Sequence, residues 1–208
     1  MSLIMYLNRA PRYKDITIQD IKLMESFFRW HHENETKGSH SGGSFEQWCG
    51  HSESELPNLH TIKYFYEFYK KRTVYAEGVG AQEVFSILEQ TSRIVKANQI
   101  FGWFYKNVMH KQANKNYFEV TKSQLESLLS DCKKVKDSFV VTENNKYIVD
   151  ESIAKEHLPV FENGGYFFGS INYDETYAKQ VVDMITIIED ILEATNFDKQ
   201  VIYFNAIW

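Results

Sequence analysis

Residues 164–175, GGYFFGSINYDE, precede a long apolar-striped segment, and their interpretation decides the fold class. A glycine loop that holds a phosphate needs backbone N–H groups around the anion, usually with a lysine or a helix N-terminus. Neither GxGxxG nor GxxxxGK[ST] is present, and residues 166–168 are bulky aromatics that favour strands. Asn172 followed by Glu175 is typical of a capped helix start. The stretch therefore predicts a turn, a strand, a turn and a helix.

The segment that follows, 177–195, shows the clearest helical periodicity in the chain. Its apolar residues recur every three or four positions, at Val181 or Val182, Ile185, Ile188 and Leu192. The chain then ends in QVIYFNAIW, a run of β-branched and aromatic residues that predicts a strand.

The remaining patterns mix strands and helices without regular alternation. Strands are predicted at 3–9, 73–78 and 117–120, and helices at 17–33, 58–72, 92–110 and 122–137. Residues 84–88 fit either a strand or a helix, and the strand is favoured. Thr121 and Gln124 form a capping-box pattern, and 143–146 predicts a hairpin turn. We therefore expect an α+β protein with a small, mostly antiparallel sheet packed by four or five helices. It would form a single domain, 1–208, with a polar loop or insertion at about 34–57.

Charge and composition narrow the function classes. The chain has 208 residues and a formal net charge of −5. Its basic clusters are short, at 70–72 and 133–136, whereas general nucleic-acid binding needs an extended basic face. We therefore expect no general nucleic-acid binding.

The sequence also predicts a soluble cytoplasmic protein. It shows no secretory leader and no apolar run of the roughly 18 residues that a membrane span needs. The two cysteines, Cys49 and Cys132, do not form a disulfide framework, so we expect free thiols.

The segment 31–60 carries the richest set of potential metal ligands. It contains five of the seven histidines and one cysteine: His31, His32, His40, Cys49, His51 and His60. Imidazole and thiolate are natural zinc ligands, and the candidates are His40, Cys49 and His51. The spacing is poor for a structural zinc site, so the favoured reading is a solvated polar loop. No cofactor is predicted, and zinc is the alternative.

Aromatic residues make up 15% of the chain. The favoured reading is an aromatic-rich core, and the alternative is an interaction face, because Tyr and Trp are enriched at binding hot spots. Gly102 within a predicted helix indicates a close packing contact. The candidate binding residues are Trp48, Trp103, Tyr166 and Tyr173.

Three stretches together resemble one protein family. They are KANQIFGWFYKNV at 96–108, YFEVTKSQLESLLSDCKKV at 117–135, and LPVFENGGYFFGSINYDETY at 158–177 with the helix and strand that follow. The family consists of bacteriophage- and prophage-encoded proteins without an established activity. The resemblance implies an origin and not a mechanism. The family usually has an aromatic residue and an arginine before Lys-Ala-Asn and a histidine three residues after it, where this chain has Ile94, Val95 and Phe101.

These observations favour an interaction protein over an enzyme. We expect a phage- or prophage-type accessory factor that binds a host or phage protein, or a small ligand. The alternative is a small metal- or nucleotide-dependent enzyme that uses the histidine-rich segment 31–60. The sequence leaves the oligomeric state open.

Overall fold

The computed structural model describes most of the chain, in six segments: 2–36, 59–76, 80–112, 116–144, 146–162 and 166–208. The chain divides into two compact units, Met1–Arg9 with Gln90–Trp208, and Ala10–Glu89. The single-domain expectation stays a prediction. The predicted α+β class is confirmed.

The described residues form eight strands and six helices. In chain order the strands are β1 (Ile4–Pro11), β2 (Lys70–Ala76), β3 (Gly80–Ser86), β4 (Glu89–Val95), β5 (Phe118–Val120), β6 (Val140–Val141), β7 (Tyr147–Ile148) and β8 (Gln200–Ile207). The helices are α1 (Ile18–Thr36), α2 (Leu59–Tyr66), α3 (Asn98–Asn107), α4 (Lys122–Asp137), α5 (Glu151–His157) and α6 (Glu175–Ala194).

The main sheet is antiparallel and has the strand order β4-β1-β8-β5. Strand β8 lies inside the sheet, and Val201–Phe204 are all buried, which explains the continuous apolar run of the C-terminal sequence. In the pairing of β5 with β8, Phe118 lies opposite Phe204 and Val120 opposite Ile202. The strands predicted at 3–9, 117–120 and the C-terminus are confirmed.

Helices α3, α4 and α6 cover the core of the larger unit. The ring of Phe104 on α3 stacks on Phe204 of β8, with centroids 4.1 Å apart. Helix α6 buries the predicted stripe at Val181, Ile185 and Ile188. The capping box at the start of α4 is confirmed, since Thr121 and Gln124 exchange both of its hydrogen bonds.

The smaller unit contains α1, α2 and the β2–β3 hairpin. Its buried carboxylate, Glu25, accepts hydrogen bonds from the Ser86 hydroxyl and from the backbone N–H groups of Ile87 and Leu88. Glu25 thus fixes the turn after β3, because it satisfies two backbone donors that a turn leaves unpaired. Elsewhere in this unit, Phe28 packs edge-on against Tyr66, with ring centroids 5.1 Å apart.

The helix predicted at 92–110 is wrong in its first six residues. Residues 92–95 belong to β4, and α3 begins at Asn98. Between them Lys96 takes a left-handed conformation with φ of 53°, and its N–H donates to Leu3 O at 3.0 Å. The β-branched pair before Lys96 pairs with the sheet, and this tertiary contact overrides the helical spacing.

Two predictions for 164–175 are also wrong. Residues Tyr166–Phe168 form one 3₁₀ turn rather than a strand. The cap of α6 is Asp174, not Asn172, and its carboxylate accepts from Tyr177 N at 3.0 Å. The sharp turn at Gly169, with φ of 105°, ends the aromatic run before a strand can pair.

Helix α5 lies in a stretch where sequence analysis predicted no element, and the described helices number six rather than four or five. Its N-cap is Asp150, whose carboxylate accepts from Ser152 N at 2.9 Å. The predicted hairpin around 143–146 is confirmed as β6–β7, with Val141 opposite Tyr147.

Candidate binding cleft

An open cleft of about 760 Å³ lies in the larger unit, between α5 and the start of α6. Helix α5 contributes Glu151 and Lys155 to its lining. The connection after α5 contributes Pro159, Val160 and Glu162, and the segment before α6 contributes residues 171–174. This volume is in the range of ligand sites in proteins, and the lining mixes apolar, aromatic and charged side chains.

Residues 158–161, called the wall below because they place Pro159 and Val160 at the cleft, are irregular in structure and are held by side chains. Leu158 O accepts from the buried Tyr177 hydroxyl at 2.9 Å, and Val160 N donates to the Tyr173 hydroxyl at 3.3 Å. These side-chain hydrogen bonds satisfy backbone groups that neighbouring strands would pair in a β-sheet. The wall is therefore preorganised before any ligand arrives.

Asn98, the first residue of α3, holds the same wall from behind. Its side-chain amide acts like a paired peptide group: Phe161 N donates to Oδ1, and Nδ2 donates to Phe161 O at 3.1 Å. Gly102, one turn further, brings α3 close enough that a Cβ there would lie 3.2 Å from Phe161 Cβ. The close packing contact predicted for Gly102 is confirmed.

A second set of contacts supports the segment before α6. A Cβ on Gly169 would lie 2.1 Å from Lys96 O, so the two backbones meet directly. The same carbonyl accepts from Gln180 Nε2 at 3.2 Å, and Leu3 N donates to Phe167 O at 2.9 Å. Two of the three stretches that resemble the phage family thus supply these contacts: 96–108 contains Asn98, and 158–177 contains Phe161, Gly169 and Tyr177.

One cation and one aromatic ring dominate the chemistry of the cleft. Lys155 Nζ bonds Glu151 Oε2 at 2.8 Å and lies 5.5 Å from the centroid of the Tyr173 ring. The hydrogen bond and the charge of Glu151 raise the pKa of Lys155, so this ammonium stays protonated. Schiff-base lysines are activated by a lowered pKa, so a shift in this direction gives Lys155 no such activation.

Carboxylates occupy the N-terminus of α6 at the cleft, where an anion could otherwise bind. Asp174 Oδ1 accepts from the α6 backbone, and Oδ2 accepts from the Ser170 hydroxyl at 3.2 Å. Glu175 follows in the first turn, where Lys179 lowers its pKa through a hydrogen bond and through its charge. A phosphate would have to displace this negative charge from the α6 N-terminus.

A second polar cluster, Trp103–Asp131–His157, lies elsewhere in the unit. Trp103 Nε1 donates to Asp131 Oδ2 at 3.0 Å, and His157 Nδ1 lies 3.5 Å from Asp131 Oδ1. Next to it Cys132 is fully buried, and this burial raises the pKa of its thiol. The thiol is therefore an inert apolar group, as its position on the α4 stripe predicts.

The two predicted binding side chains that the structure describes, Trp103 and Tyr173, lie in different places. Tyr173 lines the cleft, whereas Trp103 is only 7% exposed and lies in the second cluster. Tyr166 lies in the 3₁₀ turn. The other candidates lie outside the described residues: Trp48 and the metal-ligand set His40, Cys49 and His51. Zinc binding by that set stays a prediction.

Sequence reasoning missed most of the cleft. Glu151 and Lys155 lie on α5, which was not predicted, although Asp150 and Glu151 form an acidic helix start that signals it. In the sequence, Asn98 appeared only as part of the Lys-Ala-Asn motif, and nothing there indicated that its side chain holds the backbone of Phe161. Its role depends on the backbone of Phe161, 63 residues away, and no local pattern shows such a contact.

No known family model, curated protein or solved structure matches the chain. The phage resemblance therefore stays an expectation. Within the part of the chain that the structure describes, no helix is long and apolar enough to cross a membrane. In that same part, no group of three or more His, Cys, Asp or Glu side chains is arranged to hold a metal ion.

Proposed function

We propose that the protein is a cytoplasmic accessory factor of phage or prophage type that binds a partner protein through the cleft. The observation that carries this proposal is the preorganised wall, 158–161, beside exposed apolar and charged side chains. A rigid wall lowers the entropic cost of binding, since the site does not have to order itself around its guest. Ile171 lies at the cleft and is 56% exposed, which suits contact with a partner.

The described lining favours binding over catalysis. It contains no histidine, cysteine, serine or threonine, so the usual nucleophile and base pairs are absent from these residues. Lys155 is paired with Glu151 at 2.8 Å. Asp174 serves as a helix cap and is exposed, in contrast to the buried carboxylates that act as general acids.

The charge of the lining favours a protein partner over a nucleic acid. Three carboxylates, Glu151, Glu162 and Asp174, face one ammonium, Lys155. A phosphate backbone would be repelled from such a surface, and the chain as a whole has a net charge of −5.

The test is affinity capture from a lysate of the bacterial host, with matched surface variants. Ile171→Asp places a charge at the cleft, and Val141→Asp places the same charge on β6, where Val141 is 58% exposed. Mass spectrometry identifies retained proteins, and calorimetry with the purified partner measures the affinity. We expect one stoichiometric partner that Ile171→Asp weakens at least about tenfold, because the apolar contact is lost.

The Val141→Asp variant controls for general effects of a surface charge and should capture the partner as the wild type does. Equal capture by both variants would show that the partner binds elsewhere. The absence of any stoichiometric partner would count against the proposed function.

A further inference from the structure

We propose that the cleft receives a lysine or arginine side chain of the partner, flanked by an apolar residue. This inference rests on the proposed function and specifies the chemistry of the partner. Three features of the lining carry it: an excess of negative charge, a cation already placed over Tyr173, and apolar surface beside both.

The charge excess remains after the internal ion pair is taken into account. Lys155 neutralises Glu151 at 2.8 Å. Asp174 accepts hydrogen bonds from Tyr177 N and from the Ser170 hydroxyl, and these neutral donors leave its charge in place. Glu162 is exposed and makes no hydrogen bond or ion pair with the described residues. Glu162 and Asp174 therefore carry negative charge at the cleft that no ion pair among the described residues neutralises, and a basic side chain is their complement.

Lys155 shows where a cationic guest fits. Its ammonium sits 5.5 Å from the Tyr173 centroid while it bonds Glu151, so the ring face and the carboxylate together accept a cation. Both Lys155 and Glu151 side chains are about 60% exposed, and such surface pairs exchange readily with solvent and with competing charges. A guest ammonium or guanidinium can displace Lys155 and take its place.

The apolar lining suits the rest of a basic residue and its neighbour. Long basic side chains lay their methylene stems along apolar surface and keep the charge at a polar end. Pro159 and Val160 offer such a surface on the wall, and Ile171, in the segment before α6, offers another. An aliphatic residue next to the basic one would cover Ile171.

The probe is the tripeptide acetyl-Leu-Lys-Leu-amide, with its Arg, Gln and Glu counterparts. Binding to the ¹⁵N-labelled full chain is followed by amide chemical shifts of Val160, Asn172, Tyr173 and Asp174. We expect the Lys and Arg peptides to bind at least about tenfold more tightly than the Gln peptide, and the Glu peptide to bind least. Raising the salt from 50 to 500 mM should weaken the basic peptides, because these charges are exposed.

Two neutralising substitutions test the carboxylates. The double variant Glu162→Gln with Asp174→Asn should weaken the Lys peptide about tenfold, since two exposed charges are removed. Asparagine keeps the capping oxygen, so α6 should stay intact. Glu156→Gln is the matched control: Glu156 lies on the same short helix as Glu151, is 70% exposed and is absent from the lining.

The direction of the effect of Lys155→Gln separates basic from acidic partners. This substitution frees Glu151 and the face of Tyr173, so we expect the Lys peptide to bind about three- to tenfold more tightly. Weaker Lys-peptide binding and tighter Glu-peptide binding in this variant would overturn the inference.

The outcomes also separate this inference from the proposed function. Equal binding of the Lys and Gln peptides, together with capture that Ile171→Asp abolishes, would overturn basic recognition and leave the binding function standing. Binding of butylammonium alone as tightly as the Lys peptide would indicate a small amine as the ligand and overturn the protein partner. Equal capture of the partner by the Ile171→Asp and Val141→Asp variants would overturn the proposed function itself.

Discussion

The cleft and the Trp103–Asp131–His157 cluster are two polar regions that share the helix α5. Glu151 and Lys155 of α5 line the cleft, and the last residue of this helix, His157, contacts Asp131. In the cluster the Asp131 and His157 side chains are 22% and 19% exposed and contact each other. In the cleft, Glu162 and Asp174 are exposed and their charges are not neutralised by described neighbours.

The difference shows how to tell a structural polar group from a binding one. The cluster matches donor to acceptor and leaves little surface for a guest, so it contributes to stability. The cleft places its matched hydrogen bonds in the wall behind it and leaves charge at its surface. Substitutions in the Trp103–Asp131–His157 cluster should therefore lower the stability of the protein. Substitutions of the charged residues in the cleft should lower its affinity for a partner.

Gly169→Ala should give the largest loss of stability. Its Cβ would lie 2.1 Å from Lys96 O, and the φ of 105° is unfavourable for alanine. We expect a loss of more than about 3 kcal/mol in the free energy of unfolding. The measurement is urea denaturation. Gly102→Ala is the control, since its Cβ would meet Phe161 Cβ at 3.2 Å within a helix that alanine favours. A loss as large for Gly102→Ala as for Gly169→Ala would contradict the backbone argument.

Asn98→Ala should be the next most damaging change. It leaves the N–H and C=O of Phe161 without their side-chain partner, at a position where Asn98 is fully buried. We expect a loss of about 2–4 kcal/mol in the free energy of unfolding, because two backbone groups lose their bonds. The Asn107→Ala control on the same helix removes one bond, from Nδ2 to Trp103 O, and should cost about 1 kcal/mol. Equal costs would show that Asn98 does not hold the wall.

These supports explain which parts of the molecule the sequence could predict. Helix α6, the capping box at Thr121 and strand β8 follow from local periodicity and local hydrogen bonds. The boundary at Lys96, the turn at Tyr166–Phe168 and the contact of Asn98 with Phe161 depend on partners far away in the chain. Tyr173 was found as a candidate because it is aromatic. Its partners in the cleft belong to α5, whose seven residues are too few to show a helical period.

The bonds of the wall should also show in the pH dependence of stability. Burial raises the pKa of the Tyr177 hydroxyl, which donates to Leu158 O. The folded state therefore keeps this proton when the unfolded state loses it. The stabilisation is fully present below the ordinary tyrosine pKa of 10.0 and is lost as the pH rises above it. Cys132, with an ordinary pKa of 9.0 and a raised one when buried, acts with the same sign.

Tyr177→Phe tests this assignment by denaturation between pH 7 and pH 11. At pH 7 we expect a loss of about 1–1.5 kcal/mol, because one buried hydrogen bond is removed. Above pH 10 the difference from the wild type should shrink, since the variant has no hydroxyl to ionise. Cys132→Ala should flatten the decline that begins near pH 9. A constant difference between wild type and Tyr177→Phe across this range would contradict the pH argument.

Trp103→Phe should have the smallest effect on stability and gives the sharpest contrast with the cleft. The substitution keeps an aromatic ring beside Phe104 and removes the Nε1–H that bonds Asp131. Because Asp131 is partly exposed and still faces His157, we expect a loss of about 1 kcal/mol. The affinity for the Lys tripeptide should stay within about twofold of the wild type, since Trp103 is not in the lining. A parallel loss of affinity would mean that the cluster positions α5 for binding, and the two regions would then act as one site.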